Sequence, residues 1–330
     1  MKIAFAGAGY IINIHAQAAK VLPDVELFAV VEKYSANAEA LAKKFKIHRQ
    51  YETIEQMLGA GEVDALVIGT PNYLHAPQTI AALKAGVHVM VEKPMAMNGD
   101  EAYQMLEVSR TSDAILMVAH CWRFDPEVLW LREQARSGRL GKIIRTKGYG
   151  VHALWGPSGW FTEHKYAGGG ALADMGIHAL DTARFLLGDP QPESVYARIG
   201  TYYTNYDVDD TSIFIVNWDG GAVSYIESGW WQPHTDGPEA ATQLYGTKAF
   251  GQLFPTFVEK QSIRDDPGFS FPRLEHCPQS LYDDQIAYFI ECIRQQRSPT
   301  PGAQEGFINM QIIDAAYESA RTGKVIVVDK

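Results

Sequence analysis

Lys2-Ile3-Ala4-Phe5-Ala6-Gly7-Ala8-Gly9-Tyr10-Ile11-Ile12 is the stretch whose reading fixes the fold of the first part of the chain. An apolar run passes directly into two glycines and then into residues of helical pattern, the signature of a strand, a tight turn and a helix. Glycines at that junction permit the turn and let backbone N–H groups approach a pyrophosphate at the helix N-terminus. Gly7, Gly9, Tyr10 and Ile11 are therefore candidate cofactor-binding residues. Ile12 replaces the third glycine of the dinucleotide fingerprint. That glycine mainly serves close helix-to-strand packing, so the expectation is a helix set farther from the sheet with its phosphate contact kept. A lone Gly-x-Gly also suits a purely structural turn, and the β-α-β context favours the nucleotide.

Working outward, short β-branched runs at 2–6, 25–32, 65–69, 88–92 and 115–119 alternate with helical stretches at 37–45, 53–58, 77–85 and 100–109. Such alternation predicts a doubly wound parallel sheet of Rossmann type. Glu32 ends the second run, 23 positions after Gly9. An acid there accepts hydrogen bonds from ribose hydroxyls and repels a 2′-phosphate, which favours NAD over NADP, although Lys33 beside it offsets part of that repulsion. Beyond Trp122 the pattern changes to longer, partly alternating runs at 143–151, 195–203, 211–218, 222–230 and 242–244, with helices at 126–136, 171–187, 281–295 and 303–321. The expected division is a dinucleotide-binding domain over 1–121 and an α+β domain over 122–330, the latter with a large, mostly antiparallel open sheet.

The 330 residues give about two domains at roughly 150 each. A formal charge of −10, from 39 acids and 29 bases, argues against a nucleic-acid partner. No apolar run reaches the ~20 residues that span a bilayer, and the N-terminal stretch leaves no room for an export signal. Three widely spaced cysteines, Cys121, Cys277 and Cys292, form neither a disulfide framework nor a metal pattern, so the expected compartment is the reducing cytoplasm.

Two further segments carry chemistry. Glu92-Lys93-Pro94 closes a strand of the parallel sheet, and ligands bind at the carboxyl edge of such sheets, which raises Lys93 above an ordinary surface lysine. Asp174 and His178, after Gly168-Gly169-Gly170, are four residues apart and share a helix face. A carboxylate there can orient an imidazole and raise its proton affinity for general-base work, and the same spacing suits a surface salt bridge. With no further acid or cysteine at ligand spacing, no metal is expected. His152, Trp155, Trp160 and His164 precede this helix, and aromatic faces beside polar groups suit a sugar ring as well as they suit core packing.

Together these pieces resemble the Gfo/Idh/MocA family, the glucose-fructose oxidoreductase and inositol dehydrogenase group, over essentially the whole chain. The resemblance rests on Gly7 and Gly9 with His15, Thr70-Pro71-Asn72 with His75, Glu92-Lys93-Pro94, Arg123-Phe124 with Pro126, Asp174 with His178, Val208-Asp209-Asp210 and Gly246-Thr247-Lys248. It implies NAD-dependent hydride transfer at a sugar or polyol hydroxyl carbon. By that likeness Lys93 and His178 handle the hydroxyl proton, and Asp174 binds substrate or orients His178. Thr70, Pro71, Asn72, His75, Glu92 and Lys93 join the cofactor set. His120, Trp122, Arg123, His152 and Trp160 join Lys93, Asp174 and His178 against substrate. Homodimers or homotetramers are implied too, since a broad open sheet needs covering. Two other classes share these features: an NAD-dependent glycoside-cleaving enzyme that oxidises its sugar transiently, and a non-catalytic dinucleotide sensor.

Overall fold

The computed structural model describes residues 1–233, 238–260, 269–270 and 278–328. By internal contacts the chain forms two compact units, Met1–Cys121 with Cys277–Phe307, and Trp122–His276 with Ile308–Lys330.

The first unit alternates β1 (Lys2–Ala6), α1 (Tyr10–Lys20), β2 (Glu26–Val31), α2 (Ser35–Phe45), β3 (Arg49–Tyr51), α3 (Ile54–Ala60), β4 (Ala65–Ile68), α4 (His75–Lys84), β5 (His88–Glu92), α5 (Gly99–Thr111) and β6 (Leu116–Ala119). All six strands are parallel, in the order β3-β2-β1-β4-β5-β6. Ile3 to Ala6, Leu66 to Ile68 and Val89 to Val91 are essentially unexposed, as strands covered by helices on both faces must be. Short Arg49–Tyr51 has too few apolar residues to announce itself, and it is an edge strand whose partner β2 supplies its register. The helix α5 starts where the Asn98 side chain accepts the Glu101 N–H, with Asp100 and Glu101 favourably placed in its first turn.

The second unit contains α6 (Pro126–Arg136), β7 (Ile143–Ala153), the short α7 (His164–Ala167), α8 (Ile177–Leu186), β8 (Pro192–Gly200), β9 (Thr211–Trp218), β10 (Val223–Gln232), β11 (Ala240–Gly246), β12 (Ala249–Leu253), β13 (Phe257–Lys260) and β14 (Phe269–Ser270). Two helices follow, α9 (Ser280–Arg294) and α10 (Ala303–Thr322), and then β15 (Ile326–Val327). The nine strands run β14-β13-β12-β11-β7-β10-β9-β8-β15, antiparallel except for the β7/β10 pair. Residues alternate along β9, where Ser212, Phe214, Val216 and Trp218 face the buried side. On that side α6 and α8 bury Val128, Leu131, Phe185 and Leu186 against Leu244, Leu253 and Val258.

The fold class is the expected one, with two local corrections. Leu172–Gly176 is a π-turn rather than the start of one long α-helix. The helix α9, expected in the second domain, packs on α1 of the first unit, where Arg294 donates to the Pro23 carbonyl. Sequence order hid this because chain position says nothing about which sheet a late helix covers. Among the described residues no helix is long and apolar enough to cross a membrane. Cys121 and Cys292 are free and buried, and Cys277 lies outside the described residues.

Candidate functional site

In the first unit, Gly7 has φ +95°, and its amide donates to the Val31 carbonyl at 2.8 Å. A side chain at Gly7 would lie 2.8 Å from the Gly69 carbonyl oxygen, so the turn admits only glycine. Gly9 is the N-cap of α1 and caps it with no side chain, the first turn holds no acid, and the space beside its Cα is open. The opening amides of α1, at Tyr10 and Ile11, have no intrahelical acceptors and lie where the helix dipole is positive, so this end fits a pyrophosphate. Tyr10 is exposed and Ile11 half-buried.

Ile12 is fully buried, and Gly69, at the end of β4, makes its room. A Cβ on Gly69 would fall 2.8 Å from Ile12 Cδ1 and 2.9 Å from Cγ1. The bulk that the fingerprint excludes from the helix is thus accommodated by a glycine on the neighbouring strand.

Glu32 follows β2, half-buried, and its Oε1 accepts the Tyr34 N–H at 3.0 Å, while Lys33 is exposed. Thr70 and Pro71 are half-buried, Asn72 is buried, and Thr70 Oγ1 donates to Gln78 Oε1. Two residues expected to touch the cofactor have their polar atoms engaged within the protein. The His75 ring is wholly unexposed, with Nδ1 2.8 Å from the Pro94 carbonyl oxygen and Nε2 2.8 Å from that of Thr70. Burial lowers its pKa, so the ring is neutral and its single N–H serves one of the two carbonyls. The Glu92 carboxylate is taken by buried His15, Nε2 to Oε1 at 2.6 Å, and by the Lys93 amide. Lys93 itself is half-buried just past the end of β5. His120, expected against substrate, is buried at 1% exposure, which removes the surface such a contact needs.

In the second unit, Asp174 lies within the π-turn and His178 at the second position of α8, both half-buried. Each has an aromatic neighbour. Buried Trp230 donates its indole N–H to Asp174 Oδ2 at 3.1 Å, and Trp122 stacks on His178 with ring centroids 4.9 Å apart and 22° between planes. His152 approaches Asp174 Oδ2 at 3.8 Å and Glu239 Oε2 at 3.4 Å, and stacks on Trp155 at 3.6 Å. Glu239 also accepts the Ala153 N–H and the Trp155 indole N–H, so one carboxylate shapes the whole 152–155 turn. Burial raises the Glu239 pKa, but these bonds and the nearby His152 outweigh it, and the carboxyl is held below its ordinary value. Trp160 stacks on Phe161 at 3.8 Å, and His164 is exposed. Trp230 and Trp231, neighbours in β10, differ in burial at an irregularity of the strand: Trp230 is buried, and Trp231, at φ +61° where the pairing with β7 shifts register, is exposed with its amide on the Trp155 carbonyl.

Arg123 is a correction of a different kind. Expected against substrate, it is buried, donates from Nε and Nη2 to both oxygens of Asp181, meets Asp189 at 2.8 Å and lies over the Phe185 ring. Asn309 donates to the same Asp181. The arginine fastens α8, and at 2% exposure it has no surface to offer a sugar.

Sequence reasoning missed Glu239, because nothing in the spacing ties it to His152 or Asp174, and it left Asp209 without a role. Buried Asp209 accepts the Gly170 and Leu172 amides at 2.8 Å each and the Tyr317 hydroxyl at 2.7 Å, capping the turn that carries Asp174. The Asp209 backbone fills the space where a Gly170 side chain would be. Burial raises the Asp209 pKa despite these donors. Asp210 similarly accepts the amides of Tyr202, Tyr203 and Thr204.

Residues 1–120 match the family described as "Oxidoreductase family, NAD-binding Rossmann fold", and residues 128–250 match the "GFO/IDH/MocA C-terminal domain". The D-glucoside 3-dehydrogenase of Escherichia coli (strain K12) is 30% identical over 98% of this chain and 96% of its own length. The scyllo-inositol 2-dehydrogenase (NAD(+)) of Bacillus subtilis (strain 168) is 27% identical over 93% of this chain and 90% of its own length. In fold, a levoglucosan dehydrogenase solved with NADH and levoglucosan superposes with a TM-score of 0.90 at 23% identity, covering 100% of both chains. The glycine turn, the two sheets and these likenesses agree, and the chain belongs to the Gfo/Idh/MocA family of NAD-binding oxidoreductases.

Proposed function

We propose that the protein oxidises a secondary hydroxyl carbon of a sugar or polyol, glycosides included, with Lys93, Asp174 and His178 as its catalytic residues. The observation that carries this reading is the second unit's pairing of a carboxylate and an imidazole, each half-buried against an indole: Asp174 on Trp230 and His178 on Trp122. Flat aromatic walls beside polar groups suit a ring with apolar C–H faces and hydroxylated edges. Support for the substrate class comes from the relatives named for D-glucosides and inositol.

NAD, when bound, supplies the acceptor for the hydride that leaves the carbinol carbon. Lys93 and His178 handle the remaining hydroxyl proton, so the products are a ketone and reduced cofactor. Asp174 accepts a substrate hydroxyl, its Oδ2 fixed by Trp230. Trp122, Trp160 and His152 line the sugar. Gly7, Gly9, Tyr10, Ile11, Glu32, Lys33, Thr70, Pro71, Asn72 and Lys93 hold the cofactor, in a domain formed by 1–121 with α9 packed on it, and the remainder of the chain from 122 serves the substrate and self-association. We further propose a homodimer or homotetramer in a reducing cytoplasm, which suits the free buried thiols.

The test is a panel of monosaccharides, inositols and glycosides followed by NADH absorbance and product analysis together. A ketone forming in step with NADH supports the reading. Cleaved glycoside without net NADH replaces it with transient-oxidation chemistry, and cofactor binding with no product from any sugar leaves a sensor.

A further inference from the structure

We propose that His15 and His75 are positioning residues for Lys93, fastening the chain on either side of it. His15 does so through the Glu92 side chain and His75 through the Pro94 carbonyl. The inference rests on the reading of Lys93 as catalytic.

Both rings have zero exposure, so neither touches a ligand. On the strand side, His15 Nε2–H donates to Glu92 Oε1 at 2.6 Å, and Glu92 Oε2 accepts the Lys93 N–H at 3.2 Å. Buried His15 Nδ1 has no partner among the described residues, which fits the tautomer with its proton on Nε2 and an unused lone pair on Nδ1. On the far side, the His75 ring lies 2.8 Å from the carbonyl oxygens of both Thr70 and Pro94, and with its single N–H on Nδ1 it donates to Pro94 and so holds the residue after Lys93.

Tyr282 of α9 meets the His15 ring edge-on at 5.6 Å and 83°, closing the pocket in which the pair sits. Tyr282 also hydrogen-bonds the Cys121 thiol; burial, with Glu92 nearby, pushes that thiol up to about 12 and drives the phenol higher still. Both stay neutral, so neither takes over the charge of Glu92.

A lysine chain has four rotatable bonds, and its ammonium is aimed only as well as its Cα is held. Placement errors of about 1 Å at a reacting group cost about 10²-fold in rate. An apolar pair of similar size would fill the His15/Glu92 space without the desolvation cost of a buried polar pair. The polar pair therefore does something packing alone does not, and what it reaches is the Lys93 amide.

That comparison supplies the test. The double variant His15→Met, Glu92→Met replaces the pair by apolar side chains and is made in the wild-type and Lys93→Met backgrounds. The expected result is a melting temperature at or above wild type, kcat lowered about 10²-fold, and NAD affinity and substrate KM changed no further than Lys93→Met alone changes them. In the Lys93→Met background the double variant should cost nothing further, because there is no ammonium left to aim. Losses that multiply in that background, NAD affinity falling below that of Lys93→Met alone, or wild-type kcat would each overturn the inference. Lys93→Met alone retaining wild-type kcat overturns the reading of Lys93 instead, and the positioning role with it. Should the double variant fail to fold, His75→Asn is measured in the same two backgrounds against the same outcomes.

Discussion

Glu32 is the side chain to which the proposed function assigns the choice of cofactor. It stands just past β2, half-buried, with one oxygen already turned back onto the Tyr34 amide. That bond limits the rotamers of the carboxylate before any ribose arrives. A 2′-phosphate brought to the same place meets a fixed negative charge, with exposed Lys33 as the only cation beside it in sequence. Glu32→Ala is expected to reduce the preference for NAD over NADP by roughly tenfold, about the 1.4 kcal/mol of one charge-assisted hydrogen bond. Titrating both cofactors into both proteins checks it, and an unchanged ratio would assign selectivity to other groups. Arg123 is the opposite lesson. Its type and its place in a family-like motif suggested a ligand, yet its guanidinium is consumed by Asp181 and Asp189. Residue type announces the chemistry a side chain is capable of, and burial decides whether that chemistry is available.

Among elements, the β1/α1/β4 junction is the most instructive. The helix carries Ile12 where the fingerprint carries glycine, and β4 ends in Gly69 directly opposite. Gly69→Ala is expected to cost about 1–3 kcal/mol, the usual penalty for overpacking a filled core, because Ile11 and Ile12 both border the new methyl group and Ile12 has no exposed space to enter. Adding Ile12→Ala should recover most of the loss caused by Gly69→Ala, which urea melts of the single and double variants will show. Additive losses would mean that the two residues do not share that space. The spacing of Asp174 and His178 predicted one shared helical face. The structure puts a π-turn beneath Asp174 and gives that carboxylate the Trp230 indole and the His152 ring. Local spacing was legible, but the aromatic partners come from other elements, Trp230 from β10, 56 residues along the chain, and His152 from the end of β7.

For the molecule as a whole, the outer face of the nine-stranded sheet is the surface on which the proposed self-association would rest. Ile213, Ile215 and Tyr225 lie on it with Arg145, Lys147 and Glu227, and Arg145 stacks on Tyr245 at 4.0 Å. Burial raises the Tyr225 phenol to about 12, so this hydroxyl stays neutral and adds no repulsion between facing copies. Light scattering is expected to give the mass of two or four chains. Ile213→Lys with Ile215→Lys should shift that mass toward one, since an unpaired charge buried at an interface costs several kcal/mol. A single-chain mass for the unmodified protein would remove the oligomer from the account.

The sequence by itself determined what short-range periodicity and local turn chemistry encode. These are the parallel sheet, the change to an antiparallel one after residue 121, the glycine turn for a pyrophosphate, and Lys93 at a strand's carboxyl end. Each is written within a few adjacent residues, because strand alternation, positive φ and helix spacing are local properties. Only the tertiary structure decided that His75 and Glu92 brace the chain beside Lys93, that Glu239 shapes the turn of His152, and that α9 covers α1. Those outcomes depend on which distant groups meet out of water. A buried imidazole, carboxylate or guanidinium takes whatever partner the packing brings within about 3 Å, and no sequence interval records that distance.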